Sequence, residues 1–209
     1  KNNFSKIKIE CDKRLIEIFN RSFNKNIFFP FGHFSSSNKT LHEFDNILYA
    51  GSLTKYFRNK ESDFNIKPYL KTSTKLDNEF NSILSKFNNK KKIGISWKSV
   101  FNIFGSLKSL ELNDFIKLYN KDRVFFNLQY GEVKEEIKNF TKKQNYKLIT
   151  LDNLDLFNNF SGLANLLKSL DIFVSVSNST AHLASALGVK TVLIKPSNHA
   201  SFHYWDYED

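Results

Sequence analysis

Three short stretches of this sequence gather side chains that can hold a phosphorylated ligand. The densest runs Ser177-Asn178-Ser179-Thr180-Ala181-His182, where an apolar run gives way to a small-residue helical pattern. A helix N-terminus leaves backbone N–H groups unpaired and carries a partial positive charge. Hydroxyls and amides placed there suit the oxygens of a diphosphate. The plain alternative is a capped helix with a satisfied histidine. The second stretch is Ser96-Trp97-Lys98-Ser99, followed by Lys108-Ser109, with Gly105 in the loop between. Lysine offsets phosphate charge and hydroxyls bond its oxygens; the alternative is a solvated basic loop. No glycine-lysine-serine pattern of a P-loop is present. The third is Asp152 with Asp155, where a carboxylate beyond a strand can accept from ribose hydroxyls. An exposed polar turn is the simpler reading of that pair.

These residues need elements to position them. Ile172 to Val176 and Thr191 to Ile194 are short apolar runs of the kind covered on both faces. Between them Ala181, Leu183, Ala184, Ala186 and Leu187 predict a helix that Gly188 ends. Upstream, strands are expected at Ile93 to Trp97, Val124 to Leu128 and Lys147 to Leu151. Helices are expected at Leu112 to Tyr119, Val133 to Phe140 and Ser161 to Leu170. This alternation predicts a parallel sheet of five strands with right-handed crossovers. In the usual doubly wound order its first and fourth strands are neighbours, so the Lys108 loop and the Ser177 turn would face one crevice. Earlier in the chain, Ile7 to Cys11 reads as a strand. A helix with Leu15, Ile16, Phe19 and Phe23 follows, then a strand at Ile27 to Phe31. Asp45 to Ala50 is a third expected strand, with short helices at 53–57 and 76–87. The polar, basic run Asn88 to Lys92 is the expected boundary, giving domains 1–90 and 91–209.

The chain has 209 residues, 41% of them hydrophobic and 25% charged, as expected of a soluble globular protein. Its single cysteine, Cys11, excludes an internal disulfide framework and fits a cytoplasmic setting. The chain begins at Lys1 and contains no methionine, which reads as a fragment of a longer protein or a processed one. Net charge is +10, favouring anionic partners. The lysines are spread along the sequence, which fits a lysine-rich background better than a nucleic-acid site. The histidines (His33, His42, His182, His199 and His203) lack zinc spacing. The ending His203-Tyr204-Trp205 reads either as a crevice wall or as a truncated terminus.

Several stretches resemble one known group. KIGISWKS (92–99), KSLELNDF (108–115), FFNLQYGEVKEEI (125–137) and LANLLKSLDIFVSVSNSTAHLASALGVKTVLI (163–194) look like the C-terminal part of bacterial tetratricopeptide-repeat glycosyltransferase-like proteins. These are relatives of the heptosyltransferases and, more distantly, of the O-GlcNAc transferases. IECDKRLIEIFNRSF (9–23) and AGSLTKYFR (50–58) resemble their preceding lobe. The resemblance implies a GT-B-like α/β fold of two Rossmann-like lobes, the N-terminal one incomplete here. It implies transfer of a sugar from a nucleoside-diphosphate sugar to a glycan or protein acceptor, without metal or other cofactor. The resemblance implies that Lys108 and the turn Ser179-Thr180-Ala181 contact the diphosphate, and with the residues read above the expected donor-binding set is Ser96, Lys98, Lys108, Asp152, Ser177, Asn178, Ser179, Thr180 and His182. Heptosyltransferases usually carry an Asp-Thr-Gly turn where this chain has Ser177-Asn178-Ser179, so one acidic contact is missing. No general base is identifiable, and a catalytically inactive donor-binding or scaffolding module is the other reading.

Overall fold

The computed structural model of the chain describes residues 7–34, 43–63, 67–73, 81–100 and 105–196. It divides into two compact units, Lys1–Leu70 and Lys71–Asp209.

The first unit is built on a small βαβ turn. β1 (Ile9–Cys11) and β2 (Phe28–Pro30) pair in parallel, with Ile9 opposite Phe28. Asp12 stops β1 and caps the short 3₁₀ turn that follows, its carboxylate accepting from the Arg14 amide at 2.9 Å and the Arg14 guanidinium at 2.7 Å. Those bonds hold the Asp12 carboxyl down at about 2. α1 (Ile16–Phe23) packs Phe19 against Phe28 with ring centroids 5.2 Å apart, and Asn24 closes the helix in the left-handed region. The strand expected at Asp45 to Ala50 does not form. Residues 46–49 are irregular, and a 3₁₀ turn (Ala50–Leu53) leads directly into α2 (Thr54–Phe57). A strand needs a partner for its ladder, and among the described residues none lies beside this segment.

The second unit is an α/β fold on a five-stranded parallel sheet of order β5-β4-β3-β6-β7. Its strands are β3 (Lys91–Ser96), β4 (Arg123–Asn127), β5 (Leu148–Ile149), β6 (Ile172–Val176) and β7 (Thr191–Ile194). The order is the doubly wound one, so β3 and β6 are neighbours at the point where the winding reverses. The helical segments are α3 (Gly105–Lys108), α4 (Lys134–Gln144), α5 (Phe160–Lys168) and α6 (Ser179–Ala186). The connection at Leu112–Leu118 is a 3₁₀ helix rather than the expected α-helix. Its two buried side chains, Leu112 and Phe115, are three residues apart, and three per turn brings both to the core. Of the helix expected at 76–87, residues 76–80 lie outside the described set, and 81–87 form two short helical turns.

The core lies on both faces of the sheet. Ile93, Ile95, Trp97, Phe115, Phe125, Phe140 and Val174 pack in one cluster. Gly94 in β3 lets chains from neighbouring elements close over the sheet. A Cβ there would sit 2.6 Å from Leu170 Cδ1 and 2.9 Å from Leu128 Cδ1. Of the expected boundary, residues 88–90 form the turn that enters β3, and Lys91 and Lys92 are its first two residues. Ahead of it, Ser73 is tied to this unit: buried Asn165 of α5 donates Nδ2–H to its carbonyl at 2.9 Å and accepts its amide at 3.1 Å.

Candidate functional site

The loops after β3, β4 and β6 meet at the C-terminal edge of the sheet, where a polar network joins them. Asn178 is its pivot. Its Oδ1 accepts the Ala181 amide at 3.1 Å, capping α6. Its Nδ2 donates to Ser96 Oγ at 2.8 Å and to the Lys98 carbonyl at 3.3 Å. Ser96 Oγ donates in turn to Gln129 Oε1 at 2.9 Å. That oxygen also accepts the backbone amides of Trp97 at 2.9 Å and Lys98 at 2.7 Å. Ser96 and Ser175 are wholly buried, and Gln129, Ser177 and Asn178 nearly so. Buried polar groups of this kind specify geometry because each needs its partner.

α6 starts at the switch point. Ser177 is buried before its cap and Ser179 is exposed at its first position. Thr180 is 1% exposed, and its Oγ1 has no hydrogen-bond partner among the described residues. A buried hydroxyl left unpaired costs about 1–3 kcal/mol, so this atom is poised to gain from a partner. Two turns of sequence away, Gly188 (φ 70°) ends the helix, with the Val189 amide reaching back to the Ala184 carbonyl at 3.0 Å. His182 faces a half-buried setting that lowers its pKa, first through desolvation and then through the positive charge of Lys108. Lys108, at the end of α3, therefore lies within electrostatic reach of the first turns of α6. The loop after β3 and the turn after β6 follow neighbouring strands, as the winding order leads one to expect.

Lys98 is differently engaged. Its Nζ pairs with Glu136 Oε2 at 2.5 Å, and the indole N–H of buried Trp97 donates to Glu136 Oε1 at 3.0 Å. Ser99 and Ser109 hold their loop together: the Ser99 amide donates to Ser109 Oγ at 3.1 Å, and that hydroxyl donates to the Gly105 carbonyl at 2.7 Å. Asp152 is exposed in the turn after β5, the edge strand. Three strand spacings, about 14 Å, separate β5 from β6. Asp155 caps its own turn, its pKa lowered first by the Asn158 side-chain amide and then by the backbone amides of Asn158 and Phe157. The His203-Tyr204-Trp205 ending lies outside the described residues. Sequence reasoning missed Gln129 and Glu136. Gln129 did leave a signal, since Asn127 and Gln129 are polar at alternate positions ending the apolar run of β4. Glu136 reads only as an ordinary acid in a first helical turn.

Comparison with known proteins adds the fold. No family model matches the chain. It is 27% identical over 107 residues to "Protein FlbA" of Caulobacter vibrioides, a match covering 49% of this chain and 18% of that protein. Among solved structures it is similar to a glycosyl transferase of family 9 from Veillonella parvula, at TM-score 0.50 and 13% identity. That match covers 65% of this chain and 39% of the other. It is also similar to ADP-heptose lps heptosyltransferase II of E. coli, at TM-score 0.47 and 16% identity, over 66% of this chain and 44% of that one. The chain thus spans less than half the length of each protein it matches. What the Veillonella likeness carries is architecture: this is an α/β chain with a five-stranded parallel sheet of the GT-B-like kind.

Proposed function

We propose that this chain is part of a glycosyltransferase, and that its second unit binds the diphosphate of a nucleoside-diphosphate sugar where the loops after β3 and β6 meet. The carrying observation is the Thr180 hydroxyl, buried and unpartnered in the first turn of a helix at the switch point of the sheet. A phosphate oxygen would satisfy it, together with the unpaired amides of that turn. Lys108 would supply charge beside it, and Ser177, Ser179 and His182 would complete the contact. Asp152, at the far edge strand, is assigned to the nucleoside end. Transfer would be inverting and metal-independent, with Lys108, Lys98 and the α6 dipole offsetting charge on the departing diphosphate. On this reading the first unit is part of an N-terminal lobe, and tetratricopeptide repeats precede it in a cytoplasmic protein acting on a glycan or protein.

A thermal-shift panel of nucleoside diphosphates, their sugars and free nucleosides tests this. At least one diphosphate should stabilise the chain. Lys108→Ala and Thr180→Val should weaken that diphosphate more than its nucleoside. Equal loss for both ligands would make Lys108 a fold residue, and no response to any diphosphate would remove the reading. A second reading is a donor-binding module without turnover. It is favoured by the turn at 177–179, which brings no carboxylate to the site and whose Asn178 is spent on capping and on Ser96. Binding of a labelled donor with neither hydrolysis nor transfer by the full-length protein would select it.

A further inference from the structure

The lysines that look scattered in sequence are gathered in space at the N-terminal edge of the second unit's sheet, opposite the candidate site. All five strands run parallel, so all begin on that edge. Lys90, Lys91 and Lys92 lead into β3, Lys121 and Arg123 into β4, Lys147 into β5 and Lys190 into β7. The register sets their heights. Lys91 is level with Arg123, and Lys147 is one residue further along, because Phe125 pairs with Leu148. Lys190 is one residue further again, since Phe173 pairs with Thr191. These starts therefore lie within about 7 Å of one plane across a sheet about 19 Å wide. The acids between them are Asp122 and Asp171, and the Asp171 carboxylate is occupied by the Lys92 amide at 2.7 Å.

Part of this charge has an ordinary cause. Lys142 and Lys143 lie in the last turn of α4, where cations complement the helix dipole. The strand starts have no such demand. Lys90, Lys91, Lys121, Lys147 and Lys190 are all exposed, and among the described residues none has a carboxylate partner. The opposite edge is mixed, with Glu132, Glu136, Asp152 and Asp155 beside Lys98 and Lys108.

We infer that this edge is a docking face for an anionic membrane surface. Its flatness suits a planar partner. Its cations are nearly all lysine, which acts as a point charge toward a diffuse field, whereas arginine's fork reads phosphates and bases individually. A nucleic-acid face would offer rings for bases. Here Tyr119 is stacked on Phe125 at 3.9 Å and belongs to the core, and the exposed Tyr146 is tilted against it at 4.8 Å, so among the described residues this edge offers one ring beside its lysines rather than a series. Docking on this edge would turn the candidate site away from the lipid.

The test is co-sedimentation of the chain with phosphatidylcholine vesicles, with and without phosphatidylglycerol. Binding should require phosphatidylglycerol and weaken as salt is added. Each lysine near such a surface is worth roughly fivefold in affinity, so losing two costs about thirtyfold, and Lys121→Glu with Lys147→Glu, which adds repulsion, should lose more than that. Lys134→Glu with Lys195→Glu makes the same change of net charge at the opposite edge of the sheet and should lose far less. Circular dichroism and melting check that both variants are folded. Equal losses in the two variants, or no binding to phosphatidylglycerol, would overturn the inference. So would tighter binding of a short oligonucleotide through the same lysines, which would assign the face to nucleic acid. Nucleoside-diphosphate binding should be the same in wild type and in the Lys121/Lys147 variant, so this test stands apart from that of the site.

Discussion

Asn178 is the residue on which the candidate site most depends, and Asn178→Ala should expose that. The substitution removes the cap of α6, costing about 1 kcal/mol. It also removes the bonds to Ser96 Oγ and the Lys98 carbonyl, at 2.8 and 3.3 Å, which join neighbouring strand ends. Each such bond contributes about 0.5–1.5 kcal/mol, the longer one at the low end. The expected loss is about 2–4 kcal/mol, or roughly 6–12 °C in Tm for a domain of this size. Asn178→Ser separates the two roles. Serine still caps the helix but is too short to reach Ser96, so it should recover only the cap. Urea denaturation of Asn178→Ser, Ser96→Ala and the double variant closes a cycle with a coupling of about 1 kcal/mol. Zero coupling, or an Asn178→Ser chain as stable as wild type, would refute the claim that this amide ties the loops together.

Gly94→Ala should destabilise by about 1–3 kcal/mol in urea, because the new methyl meets Leu170 and Leu128 side chains in a filled core. Leu170→Ala in the same chain should recover part of that loss, and simple additivity would argue against the collision. His182 should make stability fall in acid. Its folded pKa lies below the ordinary 6.5, so the unfolded chain takes the proton first. Its contribution is whole above that ordinary value and is lost as pH falls through it toward the lower folded value. His182→Gln should flatten the dependence of the urea midpoint between about pH 7 and pH 5; identical slopes would deny the shift.

The sheet was readable because its signal is local. Runs such as RVFFN and IFVSV have continuous apolar centres, Val124 to Phe126 and Ile172 to Val174, and each is followed by a helical period. From five such runs the winding rule yields β3 beside β6. What could not be read depends on contacts between distant residues. Ser96 meets Gln129 across 33 positions and Lys98 meets Glu136 across 38, and no spacing in the sequence links either pair. Lys98 is legible as a strand-end cation, but nothing near it in the sequence announces its Glu136 partner. Ile47, Leu48 and Tyr49 make a short apolar run as a strand would, but that run does not supply a partner. The evenly spread lysines were misleading for a related reason: a parallel sheet converts even spacing along the chain into one edge in space.

The order of the strands also has a consequence for synthesis. β3 lies at the middle of the sheet, yet its neighbour β6 is made long after it, with Lys92 and Asp171 bonding across 79 positions. At ordinary rates of translation that interval is about 4–16 s. During it β3, β4 and β5 can pair, but one side of the central strand keeps its N–H and C=O groups open to any other extended chain. A nascent polypeptide halted between residues 130 and 170 should therefore bind holdase chaperones strongly, and release them once the segment carrying β6 has left the ribosome.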